Sequence, residues 1–266
     1  MKSSIVSKST FFLFLFFCSI WATCGDDNPF SGNNDFAAEE SFSFEVAVVN
    51  HVEFKLTGIA GTVVVTGVPG SNSVLITGKK RVESHSAADA QQRLQELRIN
   101  VEDLNSKIEV KTIQPDDTQG RNYIVEYNIT LPPHLEVAVG NISGNVTINT
   151  IQSEVSVNNV SGNVTLNEIV GSTFTEIVSG NVEGRITLPL DGTIRMSAVS
   201  GNILLNIPQN TSAQLSANVV SGSISVSGLL LQNLVSTPNS LSGRAGDGRG
   251  TISLSTVSGN ISVRGF

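Results

Sequence analysis

Cysteine is nearly absent from this 266-residue chain: the 2 copies, Cys18 and Cys24, both lie at its N-terminal end. No internal disulfide framework can therefore hold the remainder together. Charged residues make up 15% and aromatics 6%, and the single tryptophan is Trp21. With 16 basic against 23 acidic residues the formal net charge is −7, which provides no general electrostatic grip on nucleic acid or on an anionic lipid surface. Lysine does not occur after Gly140. Histidine is limited to His51, His85 and His134, with no HExxH spacing and no cysteine partner. Neither a metal site nor a nucleophilic triad is expected from them, and no cofactor is called for. What the chain has in quantity is glycine, 24 residues of it, together with Val, Ile, Thr and Ser. That balance favours strands over helices.

The first residues read as an export signal. Lys2 and Lys8 precede the apolar run from Phe11 to Trp21, and Ala22-Thr23-Cys24-Gly25 follows. The apolar run is too short to span a bilayer as a stable helix. The small residues before Cys24 suit a lipoprotein signal over residues 1–23, with Cys24 as the acylated first residue of the mature chain and a membrane partner through that lipid. The polar stretch from Gly25 to Asn34 then opens a flexible tether, placed at residues 24–41. The expected location is the cell envelope after export, on the cell surface or on the periplasmic face of a membrane.

The folded part is expected over residues 42–266. Phe42, Phe44, Val46 and Val48 share one parity, and a second strand over Thr62 to Thr66 ends in the turn Gly67-Val68-Pro69-Gly70. One helix is predicted over Ala87 to Leu97, with Ser86 as N-cap, Asp89 three residues on, and Ala87, Ala90, Leu94 and Leu97 on one face. It should lie over one end or side of a sheet. Strands return at Lys107 to Ile113 and Tyr123 to Leu131.

From Leu135 onward the sequence repeats itself. The unit is Val-Ser-Gly-Asn-Val, seen at residues 142–146, 160–164, 178–182, 199–203, 220–224 and 257–261, with a degenerate copy at Leu241-Ser242-Gly243-Arg244. The serines stand at 143, 161, 179, 200, 221, 242 and 258, so the steps are 18, 18, 21, 21, 21 and 16. A step near 20 residues suits one rung of a β-solenoid, whose rungs bury their apolar rows only against a neighbour. Val160, Gly162, Val164 and Leu166 are assigned to the dry face, and Ser161, Asn163, Thr165 and Asn167 to the wet one. Gly144, Gly162, Gly180, Gly201, Gly222 and Gly259 suggest sharp bends or close backbone approach between rungs. Asn145, Asn163, Asn181, Asn202 and Asn260 are placed to form a stacked amide ladder. With no capping helix after the last rung, exposed backbone there predicts end-to-end self-association.

These copies, together with the Gly248-Arg249-Gly250 turn and the run Thr251 to Val263, resemble a bacterial putative-adhesin family of β-strand-repeat proteins, a domain family of unknown function. The resemblance covers residues 42 to 266. It implies an all-β protein, a single-stranded right-handed β-helix preceded by a short strand–helix–strand section, carried on exported or membrane-anchored chains. It transfers no catalytic residue.

An enzymatic reading, a β-helical polysaccharide lyase or hydrolase, would need clustered carboxylates beside Lys or Arg. After Gly140 the acids are Glu154, Glu168, Glu176, Glu183, Asp191 and Asp247 and the bases Arg185, Arg195, Arg244, Arg249 and Arg264. Glu168 and Glu183 are the pair that adjacent rungs would bring nearest. Singly spaced charges on an outward face ordinarily serve solvation. The segment Gly243 to Gly250 lacks the helix and the Lys-Ser/Thr pair of a phosphate loop. The expectation is a non-enzymatic envelope lipoprotein that binds a glycan, a cell-wall polymer or an envelope protein, as an adhesin or surface-interaction module. A periplasmic envelope-stress sensor is the alternative.

Overall fold

The computed structural model describes residues 34–266. The expected signal over residues 1–23, Cys24 and most of the expected tether lie outside the described residues. In chain order the strands β1 (Phe36–Ala47), β2 (Glu53–Thr57), β3 (Val63–Gly67) and β4 (Ser73–Ser84) precede the helix α1 (Ala87–Leu94). Strands β5 (Arg98–Leu104), β6 (Lys107–Ile113) and β7 (Asn122–Leu131) follow it. The repeat contributes β8 (Glu136–Ser143) and β9 (Val146–Asn149), β10 (Val155–Ser161) and β11 (Val164–Val170), and β12 (Thr173–Ser179) and β13 (Val182–Thr187). It continues with β14 (Thr193–Ser200) and β15 (Ile203–Ile207), then β16 (Ala213–Ser221) and β17 (Ile224–Ser227). Finally come β18 (Leu231–Ser236), β19 (Ser240–Ala245), β20 (Gly250–Ser258) and β21 (Ile261–Gly265).

The fold is all-β, built as two large mixed sheets that do not close on one another. One has the order β1-β4-β7-β3-β9-β11-β13-β15-β21-β17 and the other β18-β19-β16-β20-β14-β12-β10-β8-β2-β6-β5. Each full Ser-Gly-Asn copy gives one strand to each sheet, and copies adjacent in the stack pair in parallel with their corner serines in register, for example Ser143↔Ser161 and Ser161↔Ser179. Inward side chains alternate along the strands of the repeat from β8 to β16 and in β19 to β21, whereas β18 is exposed along nearly its whole length. Val155, Val157, Val164, Leu166, Ile194, Met196, Ile203 and Leu205 are almost wholly buried, each contributing about 1.5–3 kcal/mol of transfer free energy relative to exposure. These rows belong to one core that runs continuously from rung to rung, so the stack stabilises itself collectively.

Several expectations are corrected by the structure. The tether does not reach residue 41: Phe36 to Ser41 already pair antiparallel with Lys79 to Ser84, with Ala38 buried and Lys80 bound to Glu40. The chain is also not one uninterrupted coil. The rung β2–β3 lies between β6–β7 and β8–β9, and the rung β20–β21 lies between β14–β15 and β16–β17. The C-terminal rung is therefore covered on both sides, contrary to the open end expected of it. The open edges at that end belong to β17 and β18 instead. The degenerate copy at Leu241 to Arg244 makes no corner: it runs antiparallel to β16 within β19, with Ser242 opposite Ser216. The helix begins where expected, with the Ser86 side chain accepting from the Asp89 N–H, and it ends at Leu94, after which Leu97 is buried.

Candidate functional site

Where each repeat passes from one sheet to the other, the chain turns a corner at Ser-Gly-Asn. The glycines at these corners have φ between +119° and +151°, a region that disfavours any side chain. A Cβ at Gly162 would overlap the carbonyl oxygen of Gly144, one at Gly180 that of Gly162, and one at Gly201 that of Gly180. Two conditions thus select glycine, the left-handed backbone and the backbone of the next rung. Gly61, at φ +117°, heads the same column and touches Gly144. Ile59-Ala60-Gly61-Thr62-Val63 is consequently a further corner, with Val63 opposite Val146. Sequence reading missed it because it keeps neither the serine nor the asparagine.

Beside the glycines runs the asparagine ladder. The Oδ1 of Asn145 accepts the backbone N–H of Asn163 at 2.9 Å, Asn163 accepts that of Asn181, and Asn181 that of Asn202, each at 2.9 Å. Asn202 accepts from Asn260, and Asn260 from Ser223, again at 2.9 Å. The ladder is therefore side chain to backbone rather than purely amide on amide. It uses the carbonyl of each side chain, and the side-chain amides of Asn181 and Asn202 also donate along the column, to Oδ1 of Asn163 at 3.4 Å and of Asn181 at 3.1 Å. Inside the corner, Asn159 donates to the carbonyls of Gly144 and Gly162 at 3.1 and 3.2 Å.

The residue before each serine faces outward, which corrects the dry assignment of Val160. Ile142, Val160, Val178, Val199, Val257 and Val220 are 46% to 68% exposed, whereas Val164 and Leu166 are buried. The corner resets the alternation: Val155, Val157 and Asn159 point inward before it, and Val164 and Leu166 after it. Parity carried backward across a glycine of positive φ points the wrong way. The outcome is three parallel columns, aliphatic, serine and asparagine, registered rung upon rung about 4.8 Å apart and free of charge.

The other sequence candidates sit apart from this edge. Glu168 accepts from Arg185 Nε at 2.7 Å, while Glu183 pairs in register with Thr165, so the two carboxylates are not opposite each other. Arg185 also lies 3.6 Å from the centre of the Phe266 ring. His51 Nε2 lies 2.7 Å from Asp103 Oδ1, and His85 touches Ser84. Among the described residues no cluster of three or more His, Cys, Asp or Glu side chains could hold a metal ion. Arg249 from the glycine-rich turn donates to Asp191 at 3.0 Å, and this pairing raises its pKa.

No curated protein matches the chain. Among solved structures it is similar to a "putative cell adhesion protein" from Clostridium sporogenes, at 13% identity and TM-score 0.49, covering 86% of this chain and 100% of that one. A "putative adhesin" from Bacteroides fragilis is similar at 10% identity and TM-score 0.37, with coverages of 85% and 97%. A "putative lipid binding protein" from Parabacteroides distasonis is similar at 12% identity and TM-score 0.33, with coverages of 84% and 96%. The sequence model of the family described as Toastrack DUF4097 matches residues 38–264, and with nearly all of its described residues inside that match this chain belongs to that family.

Proposed function

We propose that this protein is a non-enzymatic interaction module of the cell envelope, exported and held to a membrane through lipid on Cys24, and that its corner columns bind an extended glycan or cell-wall polymer. The carrying observation is the unbroken register of exposed Ile142, Val160, Val178, Val199, Val257 and Val220 beside exposed serine and asparagine. An apolar stripe rimmed by polar groups is the ordinary mark of an interaction site. A sugar ring offers an apolar C–H face to the aliphatic column and hydroxyls to its neighbours. The repeat makes each weak contact recur, so affinity grows with ligand length. We read the coil as right-handed, because parallel strands joined through a crossover follow that hand almost without exception.

The test compares cells carrying the full chain with cells carrying a Val160→Ser, Val178→Ser, Val199→Ser variant, measuring retention on purified peptidoglycan and on neutral polysaccharides. Surface substitutions of this kind leave stability within about 0.5 kcal/mol each, so thermal melts should agree. Retention of wild type and a loss of at least about tenfold in the variant is expected, equivalent to about 1.4 kcal/mol. Equal retention overturns the columns as the binding face. Turnover of a polysaccharide that is abolished by Glu168→Gln overturns the non-enzymatic reading. Protease shaving of intact and lysed cells locates the domain outside the cell or in the periplasm.

A further inference from the structure

Away from the corners, the outer face of the eleven-stranded sheet carries a second constellation. Register across β12, β14, β20, β16 and β19 sets Phe174, Arg195, Ser253, Ser216 and Ser242 in one row. The next row along the same strands holds Thr193, Thr251, Gln214 and Arg244. Between the two arginines opens a groove of about 500 Å³, floored by Leu215 and Ile252 and bounded at its far side by Asn233. Asn233 sits at φ +51° where β18 shifts register against β19.

The charges here are unspent. In the repeat region Arg185 and Arg249 are paired with Glu168 and Asp191. Arg195 and Arg244 have no acidic partner among the described residues, and no carboxylate lines the groove. Arg244 donates to the Gln232 side chain, while its Nε is buried without a partner. Space for this side chain is built in: a Cβ at Gly248 would lie 2.7 Å from Arg244 Cγ and Cδ. Two guanidinium groups without an acidic partner stand on one groove in a chain of net charge −7. They match the requirement of a carboxylate, which a guanidinium binds in a planar, two-pronged way. Phe174 and Phe266 are the only aromatic residues after Gly140. Phe266 lies under Arg185, and half-buried Phe174 stands one strand from Arg195 as a flat apolar surface for a ring.

We infer that this groove is a binding site for a carboxylated sugar, with Arg195 and Arg244 holding the acid, the Ser, Thr and Gln side chains meeting hydroxyls, and Phe174 receiving the adjoining ring. The site lies on a different face from the corner columns and stands whether or not those columns bind anything.

The test is calorimetric titration of the full-length protein with trigalacturonate, with its fully methyl-esterified counterpart, and with inorganic phosphate. Trigalacturonate binding should weaken with added salt, and the ester should bind at least about tenfold more weakly. Arg195→Gln and Arg244→Gln should each cost about tenfold or more and Phe174→Ala a smaller loss, while Arg264→Gln, an exposed arginine on the other sheet, should change nothing. Arg195 is exposed, so its variant folds and decides the matter even if Arg244→Gln does not. Equal binding of the ester, unchanged affinity in Arg195→Gln, no binding at about 10 mM, or phosphate binding as tightly as the trisaccharide would each overturn the inference.

Discussion

At Gly180 the backbone has φ +136°, and a methyl group placed there would run into the carbonyl of Gly162 and the side chain of Ile177. Gly180→Ala should therefore destabilise the protein by at least about 2–3 kcal/mol, since strain and overpacking act together. Gly120 also has positive φ, at +79°, but open space around it. Gly120→Ala should cost distinctly less, and chemical denaturation of the two variants checks the difference. This constraint is also why the Ser-Gly-Asn copies were legible in the sequence: the same collision recurs at each rung, so the same residue recurs. Gly61 obeys the identical constraint and was not legible, because Ala60 and Thr62 replace the serine and asparagine that drew attention to the rest. The outward direction of Val160 was not legible either. Hydrophobicity suggests burial, and only the corner's extra half-alternation turns that side chain out.

The helix α1 packs against β1 and β4 through buried Ala90 and Leu94, and one charged clamp ties Asp89 to Ser84 at the end of β4 and to Arg121 just before β7. Arg121 Nη2 donates to Asp89 Oδ1 at 2.9 Å, and Ser84 Oγ donates to the other carboxylate oxygen. Hydrogen bonds from Arg121 and Ser84 hold the Asp89 carboxyl far below its usual range. Because the folded-state pKa is depressed, its stabilisation is present above the unfolded value near about 4 and drains away as pH falls through the folded value. Asp89→Asn should lower stability at neutral pH by about 2–3 kcal/mol and flatten the acid limb of the stability curve below about pH 4, read by urea titration at several pH values. An unaltered acid limb would show that other carboxylates control it. Glu109 adds to the same limb: burial would raise its pKa, yet Lys107, Lys111 and Lys55 prevail and lower it. At this scale the sequence declared the N-cap serine and the apolar face of the helix. It did not declare the partner of Asp89, because Arg121 is 32 residues distant.

For the molecule as a whole, the order of rungs in space departs from the order along the chain at both ends of the stack. The hairpin of β18 and β19 folds back so that β19 takes one edge of β16, and β20, arriving next, must take the other, between β16 and β14. Removing residues 250–266 would therefore cut through the stack rather than shorten it. In that truncated chain the amides of β16 and β19 should lose hydrogen-exchange protection while those of β10 and β12 keep theirs. Protection retained in β16 would mean that it pairs directly with β14. Sequence patterning could reveal that the copies stack but not who neighbours whom, since every copy offers the same register to every other.

The interleaving also sets an order in time. As the chain emerges, β14 and β15 are complete long before the strands that cover them, and the next copy to appear, β16 with β17, is not their partner. Their edges stay unpaired across the whole stretch from Pro208 to Arg249, an open template that accepts any strand carrying the same corner. Where many copies fold side by side, the strand that arrives first can come from a neighbour, and exchange of β20 and β21 between copies is the misassembly this fold invites.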